Sequence, residues 1–225
     1  MNQELSASLE KKAKKELHEE KQHVPAHLES FSRWVKSLPH ISYPCDPALL
    51  LPFLRHAKYS HAKAQKRLDN FCTLRASPSL GMPQWFEPLP LNHPAIDMYL
   101  KLGVFVELGR TRDDVLMLFS SFRNLDLETF DRDLFRRANL MDLDRHVLQP
   151  ATQIAGIGFI CDMSGVTMKH MTMGTSKKYM KMETKIWQMI RVKNKLEKAY
   201  EKVPGLKEIM PAEYGGGNLP LAALI

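Results

Sequence analysis

Apolar residues recur at helical spacing through the first third of the chain, and this pattern predicts a small bundle of helices. Over residues 27–38 they lie three and four positions apart, which places them on one face of a helix. The pair Asp46 and Pro47 is typical of a helix N-cap followed by proline in the first turn. Ser60 is a candidate cap for a third amphipathic helix. We therefore expect a helical domain over residues 25–80.

The pattern changes after a proline-rich segment. Four prolines fall within residues 81–94, which predicts a linker or an irregular crossing segment. Beyond it, residues 104–108 and 115–119 are short apolar runs separated by a polar turn, and this arrangement predicts a β-hairpin. A helix is expected over residues 127–148. Residues 154–161 then predict a third strand that is apolar on both faces, as in a strand buried inside a sheet.

The remaining parts of the chain complete a two-domain organisation with an N-terminal extension. Residues 1–24 are rich in charge and carry only a thin apolar stripe, so we expect a charged N-terminal helix or tail. They lack the apolar stretch of a secretory signal, and the chain contains no run of about 18 apolar residues that would span a bilayer. Residues 90–225 are expected to form an α/β domain. The three widely spaced cysteines Cys45, Cys72 and Cys161 are typical of reduced thiols, and we expect the protein in the cytoplasm.

Sequence signatures of the common enzyme classes are absent. The chain has no GxxxxGK[ST] phosphate-binding loop, no HExxH zinc motif and no GxSxG nucleophile elbow. His23 and His27 are four residues apart, but we expect Pro25 between them to spoil a helical pair of metal ligands. Asp142 and Asp144 are expected to lie on a solvated helix face with neighbouring arginines. We therefore predict a protein without enzymatic activity, cofactor or bound metal.

Positive charge is concentrated toward the C-terminus. The net charge is +7, and residues 163–225 alone contain ten Lys and one Arg against five Glu, an excess of six. A basic segment indicates an anionic partner, which can be phospholipid headgroups, nucleic acid or an acidic protein surface. A solvated helix face explains the same charge equally well. Few aromatic residues interleave with the basic ones, so nucleic acid is not an expected partner.

Four local motifs follow one another in a specific order. They are FLRHAKY at residues 53–59, RASP at 75–78, IGFICDMSG at 157–165 and PAEYGG at 211–216. With these motifs, residues 25–218 resemble the CRAL-TRIO family, which includes retinaldehyde-binding and alpha-tocopherol transfer proteins. The resemblance implies a helical N-terminal domain followed by an α/β lipid-binding domain. In that domain a sheet forms the floor of an apolar pocket and a mobile helix closes over it.

Two groups of site residues are predicted within this resemblance. The apolar candidates for the pocket wall lie in the predicted strands and helix and are Val106, Leu118, Phe130, Leu134, Ile157 and Phe159. Plain core packing is the competing explanation for each of them, and the stronger one for any single residue. The cationic candidates, Lys58, Arg191 and Lys195, are implied by the basic patch with which some related proteins recognise phosphoinositide headgroups. A solvated helix surface remains the alternative for these cations.

The chain departs from the family pattern in its last part. Between the Asp-x-x-Gly turn and the Glu-Tyr-Gly-Gly motif, the family has a helix, a strand, the closing helix and a further strand. Here only 47 residues separate Gly165 from Glu213, and they contain no β-rich run. We therefore expect the α/β domain to lack an internal strand and part of the closing helix. Such a sheet exposes unpaired backbone groups, so its pocket would be open or collapsed.

The function expected from this sequence is carriage of a hydrophobic small molecule. A retinoid, a tocopherol-like compound or a phospholipid would be bound, moved within the cell and released at an anionic membrane surface, with peripheral membrane association. The alternative is a peripheral phosphoinositide-binding or membrane-binding protein, or a truncated form that carries no ligand.

Overall fold

A computed structural model describes residues 5–76, 83–122, 125–126, 128, 130–167, 203–212 and 217–218. In chain order its α-helices are α1 (Ala7–Lys12), α2 (Val24–Lys36), α3 (Pro47–His56), α4 (His61–Ala76), α5 (Pro94–Leu102), α6 (Arg132–Val147), α7 (Pro150–Ala155) and α8 (Leu206–Ile209). Its strands are β1 (Phe105–Arg110), β2 (Leu116–Ser121) and β3 (Ile157–Asp162). The protein therefore has the predicted mixed α/β fold with a helical N-terminal region.

The chain divides into two compact units. The first comprises Met1–Pro83 with Leu143–Ala155, and the second comprises Gln84–Asp142 with Gly156–Ile225. Residues 143–155 thus return to the N-terminal unit although they follow the first two strands in the chain. The domain bounds expected from the sequence, 25–80 and 90–225, remain predictions.

Helices α2, α3 and α4 form the core of the first unit, as their apolar spacing predicts. Phe31 and Val35 of α2 pack with Leu50 and Leu54 of α3 and with Leu68 of α4, and all five side chains are buried. The two residues of α2 lie four positions apart, as do the two of α3, so each of these helices presents one apolar face to its neighbours. Burial of each such side chain contributes about 1.5–3 kcal/mol.

The start of α3 follows the predicted capping pattern. A carboxylate oxygen of Asp46 accepts a hydrogen bond from the backbone N–H of Ala48 at 2.7 Å. Pro47 is the first helical residue, where its missing N–H costs nothing. The helix continues through Pro52, which removes one backbone hydrogen bond from its interior.

The N-terminal segment is docked on the first unit by its thin apolar stripe. Leu9 of α1 and Ala13, the first residue of a short π-helix, are buried against Ile154 of α7. The charged side chains of Glu10 and Lys11 on α1 are exposed. These two apolar side chains, four residues apart, pack the N-terminal segment against α7.

A buried ion pair links three parts of the first unit. The guanidinium of Arg55 donates to both carboxylate oxygens of Glu19 at 2.7 and 2.8 Å and to the side-chain oxygen of Gln153 at 2.7 Å. The hydroxyl of Tyr59 donates to the same carboxylate at 2.8 Å. Arg55 belongs to α3, Gln153 to α7, and Glu19 to the segment before α2. The network therefore joins segments that are distant in sequence.

A second ion pair joins a carboxylate of α6 to an arginine of α4. Asp144 accepts two hydrogen bonds from the guanidinium of Arg75, at 2.6 and 2.8 Å. The same guanidinium lies 4.0 Å from the ring centroid of Phe71. Asp142 accepts from the hydroxyl of Tyr99 at 3.4 Å. The partner of Asp144 is therefore Arg75 of α4, a residue from a distant part of the chain.

The second unit contains two helices whose starts differ from the sequence expectation. Its sequence predicts an irregular segment up to Pro94, but Pro94 is the first residue of α5, which His93 caps by accepting from the N–H of Ala95 at 3.1 Å. Helix α6 was expected from residue 127 and instead begins at Arg132. Asp131 sets this start, since its carboxylate accepts from the N–H of Leu134 at 3.0 Å.

The sheet of the second unit has the order β1-β2-β3 in the described residues. Strands β1 and β2 are antiparallel and form the predicted hairpin, with a bulge between Glu107 and Gly109. Strand β3 pairs with β2 in parallel. Reaching β3 from β2 requires a crossover, which α6 and α7 provide.

The predicted third strand begins later than its apolar run. Ile154 is the fifth residue of α7, and the strand starts at Ile157. Gly156 separates the two elements with φ +91°, a conformation that favours glycine. The apolar run therefore contains a helix end and a strand. All six residues of β3 are half-buried.

Candidate functional site

The two faces of the sheet carry different sets of side chains. On one face, Met117, Phe119 and Ile160 pack with Leu206 of α8 and with Met210, and we call this the α8 face. The opposite face carries the alternate residues of each strand, and we call it the Leu118 face. Its members are Phe105 and Glu107 of β1, Leu116, Leu118 and Ser120 of β2, and Ile157, Phe159 and Cys161 of β3.

Three of the predicted wall residues are neighbours on the Leu118 face. Leu118 lies directly beside Phe159 in the parallel register, and Ile157 lies beside Leu116. Leu116 and Leu118 are buried, whereas Ile157 and Phe159 are half-buried. The structure thus brings these apolar side chains together into one continuous surface across two strands.

Two further predicted wall residues adjoin the same face through aromatic contacts. Phe130 and Leu134 belong to a cluster that includes Phe105 and Phe135. The ring of Phe135 lies 5.0 Å from that of Phe130 and 6.3 Å from that of Phe105. Phe105 is a member of the Leu118 face. Five of the six candidates therefore lie on this face or in the cluster at its end.

Val106 is placed differently from the other candidates. It pairs with Phe119 across the hairpin, and directly paired residues point to the same side of an antiparallel sheet. Phe119 belongs to the α8 face. Val106 therefore lies on the face opposite Leu118, and we do not include it in the proposed wall.

Sequence reasoning missed a polar pair on the Leu118 face. Ser120 and Cys161 are aligned in the β2–β3 register, and the Ser120 hydroxyl donates to the Cys161 Sγ at 3.0 Å. The signal was present in the sequence, because Ser120 is two residues after Leu118 and Cys161 is two residues after Phe159. Strand periodicity places both polar residues on the same face as those apolar ones.

Lys58, the first cationic candidate, lies where the chain turns after α3. Lys58 and Tyr59 both adopt left-handed backbone conformations, with φ of +51° and +59°. The N–H of Tyr59 bonds to the carbonyl of Leu54 at 2.8 Å, which closes the helix end. The Lys58 side chain is exposed. Arg191 and Lys195, the other two cationic candidates, lie outside the described residues.

His27 of α2 has a histidine partner from another helix of the first unit. Pro25 is the second residue of α2, and His23 immediately before the helix already has helical backbone angles. The proline is therefore accommodated in the first turn of α2. The partner of His27 is His61, whose Nε2 lies 2.9 Å from the His27 Nδ1. Among the described residues, no group of three or more His, Cys, Asp or Glu is placed to hold a metal ion.

Burial changes the acidity of groups in the first unit. Desolvation raises the pKa of the Tyr43 hydroxyl to about 12, and it raises the pKa of the Cys72 thiol, with the nearby Asp69 carboxylate acting in the same direction. Both groups therefore stay protonated at neutral pH.

Within the part of the chain that the structure describes, no helix is long and apolar enough to cross a membrane.

Comparison with known proteins identifies a matching domain and similar sequences. Residues 100–191 match the CRAL/TRIO domain. Clavesin-2 of Rattus norvegicus and of Homo sapiens is 26% identical to the chain over 216 residues, and Clavesin-2 of Mus musculus is 27% identical. The alignments cover 94% of this chain but only 58% of each relative. The chain thus spans less than two thirds of the length of these curated relatives.

Proposed function

We propose that this chain, whose residues 100–191 match the CRAL/TRIO domain, carries a hydrophobic small molecule without catalysing a reaction. The observation that carries this proposal is the Leu118 face. Leu118, Ile157 and Phe159 form a continuous apolar surface on two adjacent strands. The aromatic cluster of Phe130 and Phe135 adjoins it.

The hydrophobic effect supplies the binding energy in this proposal. Each Å² of apolar surface withdrawn from water contributes about 25 cal/mol, or about 0.8 kcal/mol for each buried methylene group. Ile157 and Phe159 are half-buried, so both retain surface that a ligand can cover. A chain of about ten methylene groups covering this face would gain several kcal/mol before the entropic costs of binding. A retinoid, a tocopherol-like compound and a phospholipid each carry apolar surface of this extent.

Release at an anionic membrane is the second part of the proposal. Lys58 is exposed at the end of α3, and we propose it for headgroup contact together with Arg191 and Lys195. Each cation near an anionic leaflet contributes about 1 kcal/mol to membrane association. The protein would then act in the cytoplasm and attach to membranes peripherally.

Ligand carriage is tested by variants on the two faces of β3. Phe159 and Ile160 are adjacent, apolar and half-buried, but they point to opposite faces of the sheet. The full chain is purified, extracted with organic solvent and analysed by mass spectrometry for a stoichiometric lipid. We expect Phe159→Ala to lower ligand occupancy or affinity by about tenfold, in line with the loss of an aromatic contact. Ile160→Ala is the matched control and should keep the ligand.

Membrane release is tested by vesicle flotation with charge variants. Lys58→Asn keeps a residue that tolerates the left-handed backbone conformation while it removes the charge. Lys36→Asn removes an exposed charge at the end of α2 and serves as the control. We expect only the Lys58 variant to weaken binding to phosphoinositide-containing vesicles, with no effect on neutral phosphatidylcholine vesicles. Vesicle binding by a protein that never contains a lipid would overturn the carrier function in favour of a peripheral membrane-binding protein.

A further inference from the structure

We propose that Ser120 and Cys161 form the contact point for a neutral, oxygen-bearing head group of the ligand, an inference that rests on the proposed carrier function. The two residues are aligned on adjacent strands, and the Ser120 Oγ lies 3.0 Å from the Cys161 Sγ. Leu118 and Phe159 are the preceding residues on the same face. The pair is therefore a polar point at the end of an apolar surface.

A ligand oxygen would be a stronger hydrogen-bond acceptor for the Ser120 hydroxyl than the Cys161 sulfur is. The Ser120 side chain is completely buried, with 0% of the residue exposed. Its hydroxyl donates to sulfur, which is a weak acceptor compared with oxygen. A buried hydroxyl without a strong partner carries a desolvation penalty. A ligand oxygen reaches this hydroxyl only when the residues that cover Ser120 move aside, and rotation about the Cβ–Oγ bond would then let the hydroxyl donate to that oxygen, which relieves part of the penalty.

The chemistry of the pair favours a neutral head group over an anionic one. Serine and cysteine offer only neutral donors, and a buried carboxylate needs a compensating charge. Glu107 is paired with Leu118 across the hairpin, which places it diagonally from Ser120 at about 7–8 Å. Arg110 is paired with Leu116 at the far end of the face, about 13 Å along β2 from Ser120.

The inference is tested with three ligands that have the same chain length and different head groups. Hexadecane, 1-hexadecanol and hexadecanoic acid compete against the fluorescent apolar probe Nile red for the full chain. We expect 1-hexadecanol to bind about fivefold more tightly than hexadecane, the effect of one hydrogen bond, and the acid to bind more weakly than the alcohol. Ser120→Ala should remove the preference for the alcohol over hexadecane. Ser121→Ala, a change at the neighbouring residue on the α8 face, should leave that preference intact.

Cysteine alkylation gives a second measurement on the unmodified sequence. Bound 1-hexadecanol should slow the alkylation of Cys161 by iodoacetamide at least several-fold. Cys45 and Cys72 lie in the first unit and serve as internal controls whose rates should not change. If the alcohol and hexadecane bind equally, or if Cys161 is not protected by the bound alcohol, this inference is overturned while carriage stands. If none of the three compounds displaces the probe, the carrier function itself fails and this inference falls with it.

Discussion

Replacing Arg55 by alanine removes the centre of the buried polar network in the first unit. The side chains of Arg55 and Glu19 are only 5% and 9% exposed. The substitution deletes two hydrogen bonds to Glu19 and one to Gln153. The Glu19 carboxylate would then be left buried, with the Tyr59 hydroxyl as its remaining partner in this network. Removing one partner of a buried ion pair costs about 3–5 kcal/mol of unfolding free energy, because the other charge stays desolvated.

The pH dependence of this cost has a definite sign. Burial alone would raise the pKa of Glu19, but the hydrogen bond and the charge of Arg55, with a further hydrogen bond from Tyr59, lower it below its ordinary value of 4.5. In the wild type, the stabilisation is therefore present above pH 4.5 and is lost as the pH falls through the lowered pKa. Without Arg55, burial dominates and the pKa rises above 4.5. The variant then gains stability as Glu19 takes up a proton, so the difference between the two proteins shrinks on acidification.

Urea unfolding followed by circular dichroism measures both effects. We expect Arg55→Ala to lose about 3–5 kcal/mol at pH 7 and a clearly smaller amount at pH 4. Adding Glu19→Gln to the variant should recover part of the loss, because the buried charge is gone. Lys14→Ala breaks an exposed pair with Glu20, whose side chains are 67% and 43% exposed, and should cost less than about 1 kcal/mol. A cost below about 1 kcal/mol for Arg55→Ala at pH 7 would refute this reasoning, since it would mean that the charge is not buried or finds water.

Two further predictions concern the histidine pair and the docking of α8. Burial, followed by the charges of His61 and His23, lowers the pKa of His27 from its ordinary value of 6.5, so the unfolded chain binds this proton first and stability is lost as the pH falls below 6.5. His61→Gln should flatten this loss in urea unfolding between pH 7.5 and 5.5, and an unchanged slope would contradict the assignment. Gly205 has φ +79°, and an added Cβ would lie 2.9 Å from the backbone nitrogen of Arg112. Gly205→Ala should therefore destabilise the second unit by about 2 kcal/mol or more in thermal or urea unfolding, and a neutral effect would show that α8 can shift.

Several features of the site could be read from periodicity, and others could not. Alternation along β2 and β3 places Leu118, Ile157 and Phe159 on one side, because successive side chains in a strand point to opposite faces. The same rule would have added Ser120 and Cys161. It could not place Val106, since the face on which a β1 residue lies depends on the pairing register and on the bulge after Glu107.

The sequence by itself determined the helical N-terminal region, the hairpin and the apolar character of the strands, because these follow from local spacing, capping and turn residues. Tertiary structure alone decided the partners: Arg75 pairs with Asp144, and Arg55 with Glu19 and Gln153. It also returned residues 143–155 to the first unit. Long side chains such as arginine can reach many carboxylates, and only the folded arrangement of distant segments selects which one lies within hydrogen-bonding distance.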